Sequence, residues 1–80
     1  MNEQALLARI TVNPGTLVGK PVIRNLRISA EQILKALANG ISQEELLDEY
    51  PELETEDIKA VLLYAASLVN EEQVFEIATT

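Results

Sequence analysis

Three helix-start signals, spaced thirteen residues apart, constrain this chain more tightly than any other feature. Ser29-Ala30-Glu31-Gln32 is a capping box: the serine hydroxyl accepts from the amide three residues on, and the glutamine side chain reaches back to the serine amide. Ile28 and Ile33 flank it as a hydrophobic staple. Ser42-Gln43-Glu44-Glu45 repeats the grammar, with Ile41 and Leu46 as the staple pair. The third start is partial. Thr55 is its capping residue, Glu56 and Asp57 place negative charge on the positive end of the helix dipole, and Ile58 at the third helical position leaves the box incomplete. Stop signals agree, because Asn39-Gly40 suits a left-handed C-cap and Pro51 ends the second helix.

Apolar spacing indicates what each helix buries. Ile33, Leu34, Leu37 and Ala38 form one stripe on the first, and Leu46 and Leu47 anchor the short second one. Ile58, Val61, Leu62, Ala65 and Val69 form the core face of the third. Ala60, Leu63, Tyr64 and Ala66 leave that third helix apolar on a second side, which calls for a second cover, either another copy or the termini. Chains of 80 residues bury a small core, and help from a partner fits that size. The expected assembly is a homodimer, with Ala60, Leu63, Tyr64 and Phe75 as candidate interface residues.

Before the helices the pattern changes. Arg9-Ile10-Thr11-Val12 and the segment Val22 to Ile28 are β-branched with partial alternation, separated by the turn signals Asn13-Pro14-Gly15 and Gly19-Lys20-Pro21. They read as two short strands, and a lone hairpin needs the helices or another copy to lie on. The expected organisation is an N-terminal extension over residues 1–8, one domain over 9–70 and a tail over 71–80. Within the domain, 9–28 is a β arm and 29–70 a three-helix core. Val74-Phe75-Glu76-Ile77 in the tail reads as extended chain or frayed helix. The fold class is mainly α: a three-helix, homeodomain-like helix-turn-helix bundle with a short N-terminal β-hairpin.

Absences exclude much chemistry. Without cysteine there is no disulfide, thiolate nucleophile or thiolate zinc site, and without histidine there is no Ser-His-Asp triad. Gly15 to Lys20 superficially suggests a phosphate-binding loop, but only three residues separate its glycines and Pro21 stands where a serine or threonine must hold magnesium. The carboxylates Asp48, Glu49, Glu52, Glu54, Glu56 and Asp57 lack the alternating ligand pattern and central glycine of a calcium loop, and read as a solvated turn that repels wrong partners. No catalytic, cofactor or metal residue is expected, and the chain reads as non-enzymatic. The apolar run from Ala60 to Val69 is broken by Ser67 and is about half of the ~20 residues that cross a bilayer. Met1-Asn2-Glu3-Gln4 lacks the basic start of a signal peptide. A cytoplasmic protein is the expectation.

The net charge of -7 argues against nucleic-acid binding, yet its distribution is uneven. Residues 1–40 carry five of the six basic side chains and only two acids, whereas residues 41–80 carry Lys59 against eleven acids. Arg9, Lys20, Arg24 and Arg27 lie on the β arm, and a basic β-ribbon in a major groove is one way of reading DNA. Arginines on a strand equally decorate a solvent face or pair with nearby carboxylates, and both readings stand. The second and third helices, joined by Tyr50-Pro51-Glu52-Leu53-Glu54, have helix-turn-helix form, but Glu54, Glu56 and Asp57 at the would-be reading end repel phosphates. That unit reads as scaffold, or as a surface for a basic protein.

The run GKPVIRNLRIS followed by ILKALANGISQEELLDEYPELETEDIKAVLLYAA resembles the prokaryotic domain of unknown function 433 over roughly residues 9–70. Matching positions include Gly19, Lys20, Pro21, Arg24, Arg27, Gly40, Ser42, Tyr50, Pro51, Glu56, Asp57 and Tyr64, and the departure is Asn25-Leu26, where Gly-Thr is usual. The resemblance implies a homeodomain-like core with a β arm, and an antitoxin-like role as the small partner of a PIN-like ribonuclease toxin. An antitoxin needs a surface for its toxin and often another for operator DNA, which a molecule with one basic and one acidic half supplies. The alternative is a structural or protein-interaction module that binds no nucleic acid.

Overall fold

The computed structural model describes residues 1–15 and 17–72, with side chains to residue 70. The elements run α1 (Glu3–Leu7), β1 (Ile10–Val12), β2 (Pro21–Ile23), α2 (Ala30–Ala38), α3 (Gln43–Glu49) and α4 (Thr55–Glu72). The mainly helical fold with a short hairpin is as the sequence indicates. Strands β1 and β2 pair antiparallel, with Ile10 opposite Ile23, Thr11 opposite Val22 and Val12 opposite Pro21. Helices α2, α3 and α4 enclose a core in which Ile23, Ile33, Leu46, Ile58 and Val61 are almost wholly buried. Each such side chain contributes roughly 1.5 to 3 kcal/mol by leaving water.

Both complete capping boxes form. Ser29 Oγ accepts from the Gln32 amide at 3.0 Å while Gln32 accepts from the Ser29 amide at 2.9 Å. Ser42 and Glu45 repeat the exchange at 3.1 and 2.9 Å. At the far end of α2, Gly40 adopts φ +90° and donates to the Leu37 carbonyl, while Ile41 donates to that of Ala36. This is a full Schellman motif, with Ile41 packed against the core. Helix α4 begins one residue earlier than its sequence signal indicates. Thr55 is its first helical residue and Asp57 its third, so Asp57 completes half a box by accepting from the Glu54 amide at 2.8 Å.

Three expectations are corrected. The second β segment does not run to Ile28: after Ile23 the chain turns through Arg24 and Asn25, both with positive φ, and Leu26 donates back to Ile23 at 2.7 Å. Two successive positive φ values mark a type I′ turn, which brings Ser29 back beside Val22. Residues 1–8 are no bare extension, since Asn2 caps α1 by accepting from the Ala5 amide and α1 packs along α4, burying Leu6. The apolar faces are also rotated. Ala38 is exposed and Ala30 buried on α2; on α4, Ala60 is fully buried whereas Leu62 and Val69 are 46% and 69% exposed. The N-terminal helix supplies part of the second cover that α4 requires. Phe75 and the rest of Val74 to Ile77 lie outside the described residues.

Candidate functional site

The chemistry-bearing side chains of the arm converge on one carboxylate. Asp57 enters from the first turn of α4 and its side chain has no solvent exposure. Arg24 reaches it from the type I′ turn, with Nε donating to Oδ1 at 3.0 Å and Nη2 to Oδ2 at 2.9 Å. The same Nη2 also donates to the Glu52 carbonyl at 2.6 Å. Arg9, just before β1, donates through Nη1 to Asp57 Oδ1 and to Glu54 Oε1, both at 2.8 Å. With the Glu54 amide as a further donor, every lone-pair direction of the buried carboxylate faces a partner.

This geometry sets the electrostatics. Burial drives the Asp57 carboxyl toward its neutral form, but the hydrogen bonds from Arg24, the Glu54 amide and Arg9 outweigh it and hold its pKa below the usual aspartate range. Conversely, Arg9 is held charged by its bonds to Glu54 and then Asp57, and Arg24 by its bonds to Asp57. The two guanidiniums face two carboxylates, so the cluster is neutral. A planar fork on a carboxylate is also the strong geometry for such a pair.

Local backbone explains how Arg24 gets there. Residue 24 has φ +46° and residue 25 φ +61°, values that cost roughly 1 to 3 kcal/mol at a non-glycine position. Asparagine tolerates this region better than most residues. Asn25 therefore does the conformational work that a glycine would do here, and its amide donates to Thr11 Oγ1 at 3.1 Å. The tight turn survives the Asn25-Leu26 departure, and the strain at Arg24 is offset by the bonds its side chain makes.

The four arm cations thus divide. Arg9 and Arg24 come together on Asp57, with side chains 17% and 34% exposed. Lys20 pairs with Glu31 at 3.1 Å on the surface, where Glu31 also meets Lys35 at 3.2 Å. Glu31 is lowered by these bonds, first from Lys20 and then from Lys35. Arg27 is exposed and makes no ion pair among the described residues. Sequence reasoning missed Asp57, which it placed among solvated turn carboxylates. The signal was its spacing from Glu54: an acid at the third helical position is set to reach back to the capping amide.

The candidate interface residues also separate. Ala60 lies inside the protein, while Leu63 and Tyr64 are half-buried. Tyr64 forms one wall of an apolar cleft of about 410 Å³ between α2 and α4, with Ala30 and Leu34 on one side and Leu68 and Val69 on the other. On the opposite charge pole, Glu44, Glu45, Asp48, Glu49 and Glu52 are exposed on α3 and the turn after it. Among the described residues, no cluster of carboxylates is grouped to hold a metal ion. No helix there is long and apolar enough to cross a membrane.

Comparison with known proteins places this arrangement. The crystal structure of a DUF433 member protein from Anabaena variabilis superposes with a TM-score of 0.74 at 32% identity, over 85% of this chain and 67% of that one. The uncharacterized protein y4eO of Sinorhizobium fredii is 34% identical over 56 residues, which are 70% of this chain. The match spans 25% of that relative's length. The family model described as protein of unknown function (DUF433) matches residues 10–65, from the start of β1 through most of α4, and the chain belongs to that family.

Proposed function

We propose that this protein is a non-enzymatic, antitoxin-like partner-binding protein of the cytoplasm, whose acidic α3 surface engages a basic protein. The observation that carries this reading is the division of charge in the folded chain. Arg9 and Arg24 are spent on Asp57 inside the molecule, while Glu44, Glu45, Asp48, Glu49 and Glu52 face outward. The neutral cluster leaves the net charge of -7 unchanged but takes two cations from the arm, while the α3 face keeps its exposed carboxylates. Opposed charge on the partner steers encounter and suppresses wrong complexes. By family resemblance the partner is a PIN-like ribonuclease toxin. A second copy of the chain is the other expected partner, through the exposed Leu62 and Val69 flank of α4 rather than through Ala60.

One observation favours the alternative of a protein-interaction module without DNA binding. Guanidiniums committed to a buried carboxylate are not free for phosphates, so any contact of the arm with operator DNA falls to Lys20 and Arg27. The test is co-purification with the product of the adjacent reading frame. Wild type should retain that protein, and reversing Glu44, Glu45 and Asp48 to lysine should release it; retention by the reversed variant contradicts the reading. A gel shift with the upstream region separates the DNA branch, since loss of retardation in the Lys20→Ala, Arg27→Ala double variant supports it and no retardation of wild type at low salt removes it.

A further inference from the structure

We infer that Asn39-Gly40 is a modification site at which the asparagine deamidates only when the C-terminal cap of α2 opens. The chain has five asparagines, and only Asn39 precedes a glycine. In the reaction, the deprotonated Gly40 backbone nitrogen attacks the Asn39 side-chain carbonyl carbon. A nitrogen–carbon bond forms, the bond to Nδ2 breaks and ammonia leaves; water then opens the cyclic imide to aspartate or isoaspartate. One water enters and one ammonia departs. A glycine offers no side chain to shield the nucleophile, and the space where a Cβ of Gly40 would stand is open.

The folded cap restrains both reacting groups. The Gly40 amide donates to the Leu37 carbonyl at 3.1 Å, and Asn39 Nδ2 donates to the Lys35 carbonyl at 2.9 Å. Ile41, donating to Ala36 at 3.0 Å and packed against the core, anchors the far side. Attack therefore requires the Schellman motif to open, an excursion of the local kind that helix ends make. The product weakens the cap. A new carboxylate sits at the negative end of the α2 dipole without the Nδ2 donor, and isoaspartate adds a backbone atom ahead of Ile41. The α2 to α3 connection is thereby a covalent record of time spent open.

The experiment follows the full chain at neutral pH by intact mass and peptide mapping, in buffer and in denaturing urea. Product should accumulate at Asn39 in urea and at least about tenfold more slowly in buffer. Ile41→Ala, with its fold checked by circular dichroism, should speed the reaction in buffer and leave the urea rate unchanged. Equal wild-type rates in buffer and urea, or no product at Asn39 in urea, overturn the inference.

Discussion

Arg24 and Asp57, 33 residues apart in sequence, form a two-point clasp in which both nitrogen donors of one edge of the guanidinium meet both oxygens of a fully buried carboxylate. The clasp joins the β arm to the first turn of the longest helix. It places the most chemically conspicuous residue of the arm in the service of the fold. Arg9 closes the other side of the carboxylate and reaches out to Glu54, whose side chain is 55% exposed.

The two acids on this cluster should therefore differ sharply. Asp57→Ala leaves two partly desolvated guanidiniums without their shared partner, and should cost about 3 to 5 kcal/mol. Glu54→Ala removes one solvent-facing bond and should cost less than about 1 kcal/mol. Urea denaturation measures both; equal losses would contradict the burial argument.

Acid should weaken the fold through the same carboxylate. The folded pKa of Asp57 lies below its unfolded value, so its contribution is complete above the ordinary aspartate pKa of about 4 and is lost as pH falls through the folded value. Stability should be level near neutrality and decline below about pH 4. Asp57→Asn should be less stable at neutral pH and show a flatter acid limb. The exposed Glu31 is also lowered, by Lys20 and Lys35, but Glu31→Gln should leave that limb nearly unchanged. An undiminished acid limb in Asp57→Asn would reject the assignment.

Asn25 tests the turn. Asn25→Val forces a β-branched residue into φ +61° and should cost about 1 to 3 kcal/mol. Asn25→Gly gains backbone ease, keeps the amide bond to Thr11 and loses the exposed bond that Asn25 Oδ1 accepts from Thr11 Oγ1, so it should stay within about 1 kcal/mol of wild type. A valine variant as stable as wild type, by thermal melting, would show that the turn re-forms without positive φ.

Gly40 tests the α2 cap in the same way. Gly40→Ala places a Cβ at φ +90°, where the space is open but the backbone conformation is unfavourable, and should cost about 1 to 2 kcal/mol. Asn39→Ala removes only the exposed bond to Lys35 and should cost less. Comparison of their urea midpoints checks the order.

What the sequence made legible was local. The Ser29 and Ser42 boxes and the Gly40 cap each depend on residues within five positions, and each formed as read. The start of α4 was displaced because Thr55 looked like the cap, whereas the third helical position is held by Asp57, which reaches back to the Glu54 amide, and not by Ile58. Helix α1 escaped notice because five residues carry too little periodicity to register. Which arginines would be free was not legible at all. The partners of Arg9 and Arg24 lie 28 to 48 residues away, and no spacing rule connects a turn to a helix cap across that distance. Of the two readings left open for strand arginines, carboxylate pairing describes Arg9 and Arg24, while Arg27 remains at the surface.

The central claim is that Arg24 acts on Asp57, and a double-mutant cycle measures it most directly. Arg24→Ala, Asp57→Ala and the double variant, unfolded in urea, should show a coupling of about 2 kcal/mol or more, with the double variant far less destabilised than the sum of the singles. Losses that add to within about 0.5 kcal/mol would contradict the clasp and return Arg24 to the set of side chains free to bind a ligand.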